Sequence, residues 1–505
     1  MKTQVAIVGG GPAGLMLAYE LGTMGIRATI FDRLAEPSPF PPGVAINTCS
    51  VELLDQRGLM DALKPRTFPL PQIHFALLTL NSPDLPERVT RQVLVNQYDL
   101  ERVLEQRAQE VGAVVRRGSE ITSFLQLDGT VVATMTTPDG STEEVTCDYL
   151  VGCDGGSSTV RRLAGIPFIP YGDQVPMHGR IADVETSVRD LPAEHQTGAR
   201  YQPSGSVYMG VPLGPDVMRM TTWEPAEPGG PATEAVSFEE LSAAMARVTG
   251  RELEPAKLRW GARCTNVIGQ AERYRDGRVF LAGDAAQVIF PYNGQALHNA
   301  LQDAVNLAWK LAATLRGTAP AELLDTYHSE RHTAAERVCM NIHAQVAISQ
   351  SAPAIGSLRT MFADLIRLPE ANRYLAEMMT SLDVYYPPGD DADAHDLVGR
   401  RLPPVRLKTA EREVTTTELL RGARGILLVL GDATWDPAAA EAWSDRVDTV
   451  TGRPLDRVDA TVVLVRPDGH VAWAGEPNDS AELRAALTRW FGPAAASDSA
   501  AQGAL

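Results

Sequence analysis

Cysteine is scarce in this chain. There are five, Cys49, Cys147, Cys153, Cys264 and Cys339, an odd number with no CxxC pair and no metal-ligand spacing, which excludes a disulfide framework and a zinc ribbon. Free thiols in a reducing cytoplasm are the expectation, with no metal. Long apolar runs are also missing. The N-terminal MKTQVAIVGGG has a short apolar run before its glycines, too brief for a secretion signal, and no stretch approaches the roughly 20 residues that cross a bilayer. Positive charge is in deficit: 46 Lys and Arg stand against 63 Asp and Glu, a net charge of -17. A polyphosphate needs a basic footprint to release its counterions, so nucleic acid and anionic membranes are excluded as partners and a cytoplasmic location is expected. No serine, histidine and acid set has the context of a nucleophile. No catalytic residue is therefore assigned from sequence.

What is present is globular: 44% apolar and 22% charged residues over 505 positions, enough for about three domains. Gln4 to Val8 forms an apolar run that ends in Gly9-Gly10-Gly11-Pro12-Ala13-Gly14. Helical composition follows from Ala13 to Met24, and Arg27 to Phe31 then gives a second strand closing on Asp32. In this strand, helix, strand context Gly9 permits a tight turn, Gly11 lets a pyrophosphate approach the backbone, and Gly14 lets helix pack on strand. The helix N-terminus offers bare N–H groups to the phosphate, and Asp32 can accept from ribose hydroxyls. Dinucleotide binding is the reading.

Further motifs lie at QYDLERVLEQRAQEVGA (97–113), YLVGCDGGSSTVRRLAG (149–165), RVFLAGDAA (278–286) and LLDTYHSER (323–331). In this order they resemble the class A flavoprotein monooxygenases, the para-hydroxybenzoate hydroxylase fold, and within it the aromatic polyketide hydroxylases of antibiotic pathways. The resemblance implies an α/β fold: a Rossmann-like FAD-binding domain (1–170 plus 265–350), an antiparallel-sheet substrate domain (171–264), a helical connector (351–395) and a thioredoxin-like domain (396–492). A disordered tail is expected over 493–505. It implies FAD, NADPH or NADH as electron donor, O2, and an aromatic small-molecule substrate hydroxylated through a flavin C4a-hydroperoxide. Baeyer-Villiger oxygenation, and a protein that kept the fold as a non-redox cyclase, dehydratase or binding partner, stay open.

By the resemblance Gly9, Gly11 and Gly14, with Pro12 and Ala13, hold the pyrophosphate. Asp32, with Arg33 beside it, serves the adenosine ribose, and Gln97 and Asp284 serve the ribityl and phosphate region. Asp154 belongs to a motif serving both FAD and NAD(P)H; its carboxylate would equally cap the helix that follows. The loop Pro291, Asn293, Gly294, Gln295, Ala296 and Leu297 leads into a helix whose N-terminus would face the flavin N1 and O2. A helical stripe of Leu297, Leu301, Ala304, Ala308, Leu311 and Leu315 backs it.

The chain also departs from the pattern. Pro42 stands where the family has an arginine, Gln287 replaces a histidine, His298 replaces an asparagine, and Ala296 replaces a glycine. Ala296 would be strained if its position needs positive φ. Arg33 or Arg57 are the candidates to supply the missing guanidinium. In the substrate domain Tyr201, Tyr208, Met209, Met220 and Trp223 are the candidate lining residues. The C-terminal domain contains no cysteine, which excludes thiol redox work and leaves packing or homodimerisation.

Overall fold

The computed structural model describes all residues except 39–40, 71, 174–176, 203, 226–234, 266, 292–293, 351–352, 389–393, 432–435, 477–478 and 496–505. Val5–Val8 (β1) is buried throughout, as a central parallel strand must be, and leads through the glycine turn into Pro12–Thr23 (α1). Pro12 occupies the first helical turn, where a missing N–H costs nothing. Ala28–Asp32 (β2) pairs parallel with β1. Helix Gln97–Glu110 (α2) returns the chain to Val114–Arg117 (β3), beside β2. Tyr149–Gly152 (β4) joins β1 on its other side.

The chain then leaves to build an antiparallel sheet from Met177–Glu185 (β5), Gly198–Tyr201 (β6), Val207–Gly214 (β7), Val217–Pro225 (β8) and Lys257–Thr265 (β9), in the order β6-β7-β8-β5-β9. It returns with Arg275–Asp276 (β10) and Val279–Leu281 (β11), completing a first sheet of order β10-β11-β4-β1-β2-β3. One face of the antiparallel sheet is covered by Phe238–Thr249 (α3). Tyr208, Met218 and Met220 pack there with Leu241, Met245 and Val248.

Gln295–Leu315 (α4) carries the expected apolar stripe, but every residue from His298 to Ala312 is buried, including Asn299, Asp303, Asn306 and Lys310. Arg331, from the following helix, takes Asn299 and Asp303, and the C-terminal domain closes over the rest. Its strands Arg406–Lys408 (β12), Glu413–Thr415 (β13), Gly425–Leu430 (β14), Val447–Pro454 (β15), Val462–Val465 (β16) and Val471–Gly475 (β17) form a sheet of order β13-β12-β15-β14-β16-β17, closed by helix Ser480–Phe491. This domain covers the polar side of α4. Asp468 accepts from Trp309 Nε1 (3.3 Å) and Asn306 Nδ2 (3.2 Å), while Arg466 pairs with Glu330 of Asp325–Ile348 (α5) at 2.5 Å and with Asp468. Lys310 joins Glu330 at 2.8 Å. Each buried charge thus has a partner, as burial requires.

Two expectations change at this level. Arg57 cannot supply a guanidinium to a cofactor: it is buried, paired with Glu20, and donates to the carbonyls of Leu420 (2.7 Å) and Pro467 (2.8 Å). The start of the expected disordered tail is held, because Pro493 O accepts from Arg446 and Ala495 N donates to Ala442 O; residues 496–505 lie outside the described residues.

Candidate functional site

A cavity of about 500 Å³ opens between the glycine turn and the antiparallel sheet. Its floor is the turn after β1. Gly9 has φ 109°, and a Cβ there would stand 2.3 Å from Cys153 O; at Gly14 a Cβ would stand 2.0 Å from Gly9 O. Both positions therefore require glycine. Gly11 differs, because a Cβ there would meet nothing within 4 Å, and with Pro12 and Ala13 it faces the cavity. Asp32 accepts from Gly10 N (2.6 Å) and Leu34 N (2.8 Å), which fixes its carboxylate beside the turn with lone pairs left for a ribose. Arg33 is exposed immediately after it.

Gln97, at the start of α2, lines the cavity, accepts from Gly43 N (2.9 Å) and donates to Glu101 (2.8 Å). Asp284 is open to the cavity, and the protein packed around that cavity, then the nearby Asp303, push its carboxyl up to about 6. Gly294 starts α4 at φ 67° with no side-chain cap, so the helix N-terminus is left open to an acceptor beside Ala296 and Leu297. Pro291 lies on the same rim. Asn293 lies outside the described residues.

Several site expectations are redirected. Asp154 spends its carboxylate on the helix that follows, accepting from Ser158 Oγ (2.5 Å), Thr159 N (2.7 Å) and Val160 N (3.1 Å); its neighbours Cys153 and Gly155 line the cavity instead. Gln295 turns away from the cavity and donates to Met379 O at 2.8 Å. Ala296 is helical, since the left-handed conformation falls on Gly294, so the feared strain does not arise. Gln287 donates to Asp303 (3.2 Å), bracing the Gly283 turn. His298 lines the cavity with Nδ1 3.4 Å from Ser50 Oγ.

Strand alternation sorts the substrate candidates. Met209 and Trp223 face the cavity. Tyr208 and Met220 point to the opposite face, into the core beneath α3. Tyr201 lies outside the cavity, its ring stacked under Arg359 at 4.0 Å. The residues that alternation adds are Val211, Arg219 and Thr221, with Ile181 of β5. The opposite wall, including Leu70, Gln72, Ile73, His74 and Leu94, comes from short irregular strands that carry no motif. Met220→Ala is expected to cost 2–5 kcal/mol in denaturant unfolding, roughly as for other emptied cores, whereas Met209→Ala should change stability by less than about 1 kcal/mol.

Residues 2–342 match the FAD binding domain family and residues 395–494 match the aromatic-ring hydroxylase C-terminal family. The chain belongs to the class A flavoprotein monooxygenase family. It is 44% identical to a dialkyldecalin synthase of Streptomyces rugosporus, over 98% of this chain and 100% of that one. It is 41% identical to a 12-dehydrotetracycline 5-monooxygenase/anhydrotetracycline 6-monooxygenase of Streptomyces rimosus, with the same shares covered. Among solved structures, the OxyS anhydrotetracycline hydroxylase of Streptomyces rimosus superposes with a TM-score of 0.90 at 39% identity, over 98% of this chain and 100% of that one.

The site fits FAD on its own geometry: a glycine turn open at Gly11, a carboxylate at Asp284 and an uncapped helix end line one cavity, and the Asp32 carboxylate is fixed against the far side of the same turn through Gly10 N. Among the described residues no acid, histidine or thiol cluster could hold a metal, and no helix is long and apolar enough to cross a membrane. Asp284→Ala is expected to weaken FAD by about 1.5–3 kcal/mol, measured by flavin fluorescence. Sugar hydroxyls stabilise the ionised carboxylate and so lower its pKa on binding. FAD affinity should therefore rise with pH through about 6 in the parent and lose this step in the variant. A flat profile in the parent would remove Asp284 from the contact.

Proposed function

We propose that the protein is an FAD-dependent monooxygenase that uses NAD(P)H and O2 to oxygenate a polycyclic aromatic polyketide or a similar secondary metabolite. The observation that carries this is the continuity of the cavity, which runs from Gly11 and Asp284 to Met209 and Trp223 without an intervening wall. Bound FAD supplies the electron transfer from NAD(P)H and the activation of O2. The turn at Gly9 to Gly14 and Asp32 would hold its nucleotide half, Gln97 and Asp284 its ribityl region, and the N-terminus of α4 the pyrimidine edge of its ring. There the helix dipole favours negative charge on the reduced ring.

The remaining work is positioning and dryness. Ile73, Leu94, Ile181, Met209, Val211 and Trp223 give an apolar chamber suited to a fused-ring substrate, with Gln72, His74, Gln92 and Thr221 as its polar points. Burial lowers the pKa of His74 below the usual imidazole value. A neutral imidazole in the wall can accept a phenol proton.

A second reading is a non-redox cyclase on the same scaffold. It is favoured by the 44% identical dialkyldecalin synthase and by Pro42, which removes a guanidinium from the cofactor loop. Purified protein separates the two. A yellow protein whose NADPH oxidation rises when an anhydrotetracycline-type aromatic is added supports oxygenation. A protein that binds FAD yet shows no NADPH oxidation with any aromatic supports the cyclase. A colourless protein that excess FAD cannot reconstitute sinks the monooxygenase.

A further inference from the structure

Arg219 stands directly opposite Asp183 across the β8–β5 pairing, and both side chains are almost completely buried. The guanidinium donates from Nε and Nη2 to the two oxygens of Asp183, at 2.7 and 2.8 Å, and lies 5.6 Å from the Trp260 ring centre. Its remaining arm, Nη1, crosses to the dinucleotide-binding domain and donates to the carbonyls of both Pro41 and Pro42, at 2.8 Å each. Prolines carry no N–H, so these two residues can be hydrogen-bonded only through their carbonyls. Gly43 completes the attachment, donating to the Gln97 side chain (2.9 Å) and accepting from Gln97 N (3.0 Å). Pro42, Gly43 and Arg219 all line the cavity, on opposite walls.

We infer that Arg219, held by Asp183, is a positioning residue that fastens the Pro41–Gly43 segment to the substrate sheet and so sets the spacing of the two walls between which cofactor and substrate lie. The inference rests on the FAD-binding reading above. It also accounts for Pro42. A guanidinium serves this segment from across the cavity, and because Asp183 neutralises it, its contribution is geometric rather than a charge offered to the pyrophosphate. Planarity matters, since one group must meet a carboxylate side-on and two carbonyls at its far end, which a lysine does incompletely.

The test is FAD titration by flavin fluorescence quenching and visible absorption, with thermal unfolding followed in parallel. Arg219→Met is expected to raise the FAD dissociation constant by about tenfold or more and to blur the fine structure of the bound-flavin spectrum. Arg219→Lys should recover part of the loss. Asp183→Asn should reproduce the loss, and the double variant should be no worse than Arg219→Met alone. Met220→Ala, which loosens the opposite face of the same sheet, should lower the unfolding temperature while leaving FAD affinity within about twofold of the parent. Should Arg219→Met fail to fold, Arg219→Lys and Asp183→Asn carry the test. A parent that binds FAD beside Arg219 and Asp183 variants that bind it equally well overturns the role of Arg219, as does a Met220→Ala variant that loses affinity to the same degree. A parent that takes up no FAD overturns the functional reading and this inference with it.

Discussion

A Gly11→Glu variant should fold like the parent and lose at least two decades of FAD affinity, about 2.7 kcal/mol. The three motif glycines are unequal in this structure. A Cβ at Gly9 or Gly14 collides with backbone at 2.3 or 2.0 Å, so substitution there displaces β1 against α1 and costs the fold. Gly11 faces open cavity, and nothing in the protein resists a side chain there. What the side chain does occupy is the approach to the N-terminus of α1, and a carboxylate adds repulsion to a site suited to anions. Circular dichroism melting and flavin fluorescence titration check both halves. Retained affinity in the folded variant would place the nucleotide elsewhere; loss of the fold would mean that Gly11 is as constrained as its neighbours.

An Arg331→Met variant should lose about 3–5 kcal/mol of stability, the usual cost of stripping the partner from a buried ion. Arg331 is fully buried and pairs with Asp303 at 2.7 Å, while also donating to Asn299 Oδ1 and Tyr386 Oη at 3.0 Å each. Asp303 in turn accepts from Gly283 N (3.0 Å) and Gln287 (3.2 Å), so the ion pair braces the turn that presents Asp284. Burial already pushes the Asp303 carboxyl upward, against the pull of Arg331. With the guanidinium gone, the carboxylate can escape its penalty only by taking a proton. The deficit should therefore be full near neutral pH and shrink as pH falls toward the ordinary carboxylate range near about 4. Urea unfolding at two pH values measures this, and an equal deficit at both would argue against an uncompensated charge.

Where a sequence feature depends on local backbone geometry, it could be read directly. Gly9, Gly14 and Asp32 were legible because a turn between strand and helix fixes where each must sit. Side-chain direction was harder. Tyr208 and Met220 have the chemistry of lining residues, yet period two within Val207–Gly214 and Val217–Pro225 sends them to the α3 side and sends Met209, Arg219, Thr221 and Trp223 to the cavity. Alternation alone could have made that division, given one anchored residue.

Asp154 shows a different ambiguity. A strand-end acid before a helix fits two acceptor roles, and three donors at hand decided for capping. The apolar stripe of α4 is legible from its spacing, but the burial of its polar residues is not, because their partners, Glu330, Asp468 and Arg331, come from distant segments. Likewise nothing local connects Arg219 with Pro41 and Pro42, since that contact spans two domains.

The cover that the C-terminal domain gives to α4 limits how this protein can be divided. Asp303, which braces the Gly283 turn, lies one helical turn from Asn306, and Asn306 shares Asp468 with Trp309. A fragment ending before residue 395 would bare Trp309 to water, on the same helix that opens at the cavity, and leave Glu330 of α5 without Arg466. The tail is thus not an interchangeable cassette: a chimera carrying a foreign one would have to reproduce Arg466 and Asp468 before its cofactor pocket could hold shape.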